Sequence, residues 1–89
     1  MVGVKEAVQK SAEFATEVLG ADRAHDLRVE EVELDEANHR WMVTLSIPSF
    51  DAANFLSPEY AKRDYRAFTV NADSGVVLAM RIRELTGAV

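Results

Sequence analysis

The sequence predicts an α+β fold: an N-terminal helix packed on one face of a four-stranded antiparallel sheet, in the order helix, strand, strand, excursion, strand, strand. Three observations carry this expectation. Apolar residues between Val4 and Leu19 recur at intervals of three and four, the period of one helix face. From Val32 to Ile47 they alternate with polar residues instead, the period of a half-buried strand. Between Tyr65 and Leu85, two runs rich in β-branched and apolar residues flank Asn71-Ala72-Asp73-Ser74-Gly75. There Asp and Ser can bond their own backbone and Gly can take positive φ, which makes a hairpin turn. A hairpin alone is marginal in water, so the rest of the chain is read as its packing partner.

In the helix, Val4, Ala7, Val8, Ala12, Ala15, Val18 and Leu19 are separated by Lys5, Glu6, Gln9, Lys10, Glu13 and Glu17, giving about four to five amphipathic turns. Glu6 and Lys10 form a favourable i,i+4 pair, Glu13 and Glu17 repel weakly, and Gly20 stands where a C-cap glycine belongs. The alanines make a thin face that lets the helix lie close to a sheet, with Phe14 at its edge. Ala21 to Arg28 is a polar connection. In Val29 to Asp35, Val32 and Leu34 alternate with Glu31, Glu33 and Asp35, the pattern of a half-buried strand. Glu36 to His39 forms a turn, with Asn38 the residue expected to adopt a left-handed conformation. Along Arg40 to Ile47, Trp41, Val43, Leu45 and Ile47 point one way and Met42, Thr44 and Ser46 the other, until Pro48 ends the ladder.

Pro48 to Arg63, PSFDAANFLSPEYAKR, reads as an excursion rather than a tight hairpin. Asp51 can cap one short turn, and Ser57-Pro58-Glu59 places an N-cap serine before a proline at the first helical position. Phe50, Phe55, Leu56 and Tyr60 give this connection a high apolar load, which either closes one end of the core or anchors a partner. In the final hairpin Phe68 and Val70 alternate on one arm, and Val76, Leu78, Met80 and Ile82 on the other. The expected core beneath the helix is then Val32, Leu34, Trp41, Val43, Leu45, Phe68, Val70, Leu78, Met80 and Ile82. The opposite face carries Met42, Thr44, Ser46, Tyr65, Ala67, Thr69, Val77, Ala79, Arg81 and Arg83. A face that meets only water has no need of Met42, Tyr65 and Val77, and arginines there can bond carboxylates directionally.

The bulk properties set limits on function. Eighty-nine residues suffice for one domain, residues 1–89, that buries about 60 to 65% of its unfolded surface. Fifteen acidic residues against ten basic ones give a net charge of −5, which opposes nonspecific binding to nucleic acid or an anionic membrane. There is no cysteine, hence no disulfide framework or thiolate metal site. The charged N-terminus lacks the apolar run of a signal peptide or membrane span, so the expected location is the cytoplasm, or outside it if a leader preceded residue 1. His25 and His39 are the only histidines and have no metal-ligand spacing, so no metal site is expected. Asn71-x-Asp73-x-Gly75 looks like the front of a calcium loop, but Ile82 stands where the bidentate glutamate belongs. No serine lies in a G-x-S-x-G elbow and no glycine-rich run cradles a phosphate. Glu30, Glu31, Glu33, Asp35 and Glu36 read as charges that keep an edge strand soluble. No catalytic, cofactor-binding or metal-binding residue is assigned, and the chain is not expected to be an enzyme.

The alanine-rich helix, then Trp41-Met42-Val43-Thr44-Leu45, then Phe68-Thr69-Val70-Asn71-Ala72-Asp73-Ser74-Gly75-Val76-Val77-Leu78 resemble the PepSY domain pattern. In that pattern a W-x-V strand precedes a hairpin of the form aromatic-x-V-x-a-x-t-G-x-V. The likeness covers the order of elements over most of the chain and specific residues in about a third of it. Asn71 and Val76 stand where acidic residues are common, and no export signal is visible. The resemblance implies a cystatin-like pairing of a helix with a curled sheet. It also implies a role as a peptidase-inhibitory, chaperone-like, sensor or interaction module without a catalytic centre. The expected function is a small noncatalytic protein-binding or regulatory module, docking on another protein or on a second copy of itself. Its surface is the open sheet face or the 48–63 excursion, with Met42, Phe50, Phe55, Tyr60, Tyr65, Val77, Arg81 and Arg83 as candidate contacts. The alternative is a small-molecule binder or minor enzyme with a pocket between sheet and excursion, lined by Trp41, Phe50, Phe55 and Tyr60.

Overall fold

The computed structural model describes residues 1–49 and 63–83; Phe50, Phe55, Leu56, Tyr60 and the expected short turns of the excursion lie outside them. One helix, α1 (Val4–Leu19), precedes four strands, β1 (Arg28–Asp35), β2 (Arg40–Pro48), β3 (Arg63–Asn71) and β4 (Val77–Arg83). The strands pair in chain order, each antiparallel to the last, as a meander. The α+β architecture is the expected one. Among the described residues no helix is long and apolar enough to cross a membrane.

The helix meets the sheet through its smallest side chains. Ala7, Ser11 and Ala15 are buried, a stripe at i, i+4 and i+8 that brings the helix axis close to the strands. The Ser11 hydroxyl within this stripe donates to the Ala7 carbonyl at 2.9 Å, so burial leaves it satisfied. Phe14 flanks the stripe and meets Phe68 edge-on, with ring centroids 6.4 Å apart at 84°, the arrangement the ring quadrupoles favour. Gly20 ends the helix at φ 87°, ψ 153°, its N–H bonded to the Thr16 carbonyl at 2.9 Å. This is a conformation essentially reserved for glycine. One expected pairing is not formed. Lys10 reaches Glu13 at 4.0 Å rather than Glu6; the Glu6 carboxylate and the Lys10 stem both lie against the β3–β4 turn beside Gly75.

The core sits where β2 and β3 cross under the helix. Val43, Leu45, Phe68 and Val70 are buried, and Val32, Trp41 and Met80 pack around them with Val8, Ala12 and Leu19 of α1. The register supports this directly: Val43 stands between Val32 and Phe68, Trp41 opposite Val70, and Phe68 opposite Met80. At one end Ala24 and Leu27 of the α1–β1 connection pack on the core, and Arg23 pairs with Asp64 at 3.1 Å.

β4 departs from the period-two expectation. Thr69 pairs with Ala79 but the next residue, Val70, pairs with Val77, so Leu78 is an extra residue at a β-bulge. Val77 consequently packs against the core, while Leu78 is 57% exposed. Ile82 lies on the helix side opposite Arg66, beyond the residues that the helix covers, and is 72% exposed. Leu78 and Ile82 therefore leave the expected core and Val77 enters it. A bulge inserts one residue and inverts the alternation on one side of itself.

At the opposite end of the sheet the two hairpin turns lie side by side. Asn71 Oδ1 accepts from the Asp73 and Ser74 N–H groups at 2.8 and 3.0 Å, Ser74 Oγ accepts from Val76 N–H at 3.2 Å, and Gly75 takes φ 79°. In the first turn His39, not Asn38, takes the positive φ of 52°. Asn38 is held instead by its own bonds to the Asp35 carboxylate, at 3.3 Å from the backbone and 2.9 Å from the side chain. Ala72 N–H donates to the His39 carbonyl at 2.9 Å, Val2 N–H to the Ala72 carbonyl at 2.6 Å, and the Trp41 indole N–H to the Val2 carbonyl at 3.1 Å. Both turns and the residues before the helix are thereby tied together.

Candidate functional site

The helix occupies one face of the sheet, and strand pairing lays out the other as three rows. They run Arg28–Ser46–Tyr65–Arg83, Glu31–Thr44–Ala67–Arg81 and Glu33–Met42–Thr69–Ala79. Four of the expected contact residues, Met42, Tyr65, Arg81 and Arg83, therefore share this open face. Val77 does not; the bulge turns it toward the helix. Phe50, Phe55 and Tyr60 belong to the segment outside the described residues.

Two guanidinium groups organise the face. Arg83, on one edge strand, crosses β3 and donates to Thr44 Oγ1 at 2.7 Å. It also pairs with Glu31, on the other edge strand, at 3.4 Å. The residue of β3 in the Thr44 row is Ala67, whose methyl group leaves room for the arginine to lie across the sheet. Thr44 is only 5% exposed as a result of this cover, and its hydroxyl has a charged donor rather than water. Arg63, at the start of β3, forms the second latch. Its Nε donates to Ser46 Oγ at 2.8 Å, its Nη2 to the Ser46 carbonyl at 2.9 Å and the Asp26 carbonyl at 2.5 Å, and its Nη1 to Asp26 Oδ2 at 3.1 Å. Ser46 in turn donates to Glu30 Oε2 at 2.6 Å. Glu30 is the extra residue of the bulge between Val29 and Glu31, which is how two consecutive glutamates both serve this face.

The electrostatics follow from these contacts. The hydrogen bond from Arg63 is the main cause holding the Asp26 carboxyl below the usual aspartate value; partial desolvation opposes it, and nearby Arg28, 3.4 Å away, adds to it. Asp35 is lowered chiefly by the Asn38 amide, with desolvation opposing and Arg40, at 3.2 Å, assisting. Hydrogen bonds to the charged form favour ionisation in both cases.

No family model, curated protein or solved structure matches the chain. Glu30 and Glu31 are each committed to a neighbour, so the expected acidic edge also serves as an anchor for the two latches. Arg81 and Arg83 were expected to act as a cationic pair, but only Arg81 remains available. It is exposed and makes no hydrogen bond or ion pair among the described residues. Beyond the latches, toward the hairpin turns, lie Met42, Thr69 and Ala79, and Ala67 lies in the row that Arg83 crosses; all four are partly exposed, with Thr69 Oγ1 3.9 Å from Met42 Sδ. Such a surface offers shape, a polarizable sulfur and one unpaired cation.

The other sequence candidates are dispersed. His25 and His39 are both exposed, and among the described residues no three His, Asp or Glu side chains are grouped to hold a metal ion. Asn71 to Gly75 is a turn. Trp41 was expected to line a pocket beside the excursion; it stands at the turn end, bonded to Val2, whereas the excursion joins the sheet at Pro48 and Arg63, the far end. The pairing of Arg63 with Asp26 escaped sequence reasoning, because the two are 37 positions apart and no local period links them.

Proposed function

We propose that this protein is a small noncatalytic protein-binding or regulatory module of PepSY-like character, which docks on another protein through the open face of its sheet. The carrying observation is the arrangement of that face: Arg63–Ser46–Glu30 and Arg83–Glu31 fix its end beside Pro48 and Arg63, and next to them, toward the hairpin turns, Met42, Thr69 and Ala79 stay partly exposed. Side chains already pinned by their neighbours lose little freedom on binding, so a surface of this kind is preorganised. The 48–63 segment adds Phe50, Phe55 and Tyr60 as further candidate contacts, and a second copy of the chain is the other partner considered.

The test is capture of a binding partner from source lysate by the immobilised protein, against Met42→Glu and Thr69→Glu variants of the face. Capture that disappears in both variants, with thermal unfolding unchanged, supports the reading. Capture that survives both variants, or a bound surface no larger than a crystal contact, of order 800 Å² in total, counts against it.

A further inference from the structure

The two edges of the sheet are treated differently. The outer edge of β1 carries Glu30, Glu31, Glu33 and Asp35 and is interrupted by the bulge at Glu30, two devices that discourage strand addition. β4 lacks the acidic run, and its own bulge is confined to its first residues. From Ala79 to Arg83 its pairing with β3 is regular, it contains no acidic residue, and among the described residues no strand pairs with its outer edge. Every second backbone N–H and C=O there is presented outward as an unused ladder.

The side chains along this edge say what would fit. On the helix side stand Leu78, at the bulge, and Ile82, two of the most exposed large apolar residues described. On the open side stands Arg81, unpaired among the described residues, with Arg83 turned inward to Thr44 and Glu31. A strand added here meets an apolar row on one face and a cation on the other. The complement is an extended segment that alternates apolar and acidic side chains. A second copy of this chain fits less well. β4 pairing with β4 would gather four arginines at one seam, where an acidic segment would instead meet Arg81 with opposite charge.

We propose that the outer edge of β4 is a strand-addition site for an extended acidic–apolar segment of a partner protein. The inference rests on the binding-module reading and gives it a mode: main-chain bonds supply affinity, Leu78 and Ile82 take alternate apolar side chains, and Arg81 selects for a carboxylate.

The probe is a fluorescein-labelled ten-residue peptide alternating valine and glutamate, titrated with the full chain by fluorescence anisotropy, with amide exchange of Ala79 to Arg83 followed in parallel. Comparison peptides alternate valine and lysine, or carry N-methyl groups on all valines or on all glutamates. The site predicts binding, slowed exchange in β4, and loss of binding with one of the two N-methylated peptides, since one peptide edge must face β4. The lysine peptide and the Arg81→Glu variant should each bind about tenfold more weakly or worse; the residue is exposed, so the variant keeps its fold. Equal binding by both N-methylated peptides, no binding at all, or β4 protection that grows with protein concentration without peptide overturns the proposal. If the peptide fails while Met42→Glu still abolishes partner capture, the β4 assignment falls and the open-face reading stands.

Discussion

Replacing Arg63 by methionine tests the polar latch most directly. Methionine keeps an unbranched apolar stem and removes every donor. The Arg63 side chain is 14% exposed, and its two bonds to Ser46, at 2.8 and 2.9 Å, end on a residue with no exposed surface. Each hydrogen bond from a charged donor contributes about 1.5 to 3 kcal/mol. Ser46 Oγ keeps Glu30 as a partner, and water can reach the vacated edge, so the two losses do not sum fully. The expected cost is about 2 to 3 kcal/mol, which for a domain of this size lowers Tm by about 10 to 20 °C. Arg63→Lys restores the charge but not the fork and should recover less than half of the loss. The assay is urea unfolding followed by the fluorescence of Trp41, the one tryptophan, at unchanged m-value. A cost below about 0.5 kcal/mol, the level of an ordinary surface substitution, would falsify the latch.

Four other outcomes follow from the same structure. Val77→Ala should cost about 1 to 2 kcal/mol and Leu78→Ala less than about 0.5; the reverse order in denaturant titrations would mean that β4 has no bulge and simply alternates. Gly20→Ala should cost about 1 to 3 kcal/mol by thermal unfolding although nothing lies within 4 Å of the added methyl, because the penalty is in the backbone; a neutral result contradicts the positive φ. Trp41→Phe removes the bond to the Val2 carbonyl and should cost about 1 kcal/mol while speeding amide exchange at Val2, and unchanged exchange there would show that the N-terminal residues are not held by the indole. Asp26 and Asp35 titrate below the usual 3.8 in the folded state, so their stabilisation is fully present above the unfolded aspartate value and lost as pH falls through the folded ones. Tm should therefore drop below about pH 4, less steeply in Asp26→Asn and Asp35→Asn; identical acid slopes in wild type and both variants would refute the assignment.

The order of elements was legible because it depends on neighbours along the chain. Alternation from Trp41 to Ile47, the three- and four-residue spacing in α1, and Gly20 and Gly75 at positive φ are each consequences of backbone geometry over a few residues. Four of the five contact candidates that can be placed on the described sheet, Met42, Tyr65, Arg81 and Arg83, fell on the open face for the same reason. What only the tertiary structure decided involves partners far apart in sequence. The side that Val77 takes depends on how β4 registers against β3, since one unpaired residue inverts the alternation and carries no local mark. The pairings of Arg83 with Glu31 and Arg63 with Asp26 span 52 and 37 positions. The first exists because a meander brings the two edges of one narrow sheet within an arginine's length of each other, across an alanine small enough to let the side chain pass; the second exists because the start of β3 lies across Ser46 of β2 from the residues that lead into β1.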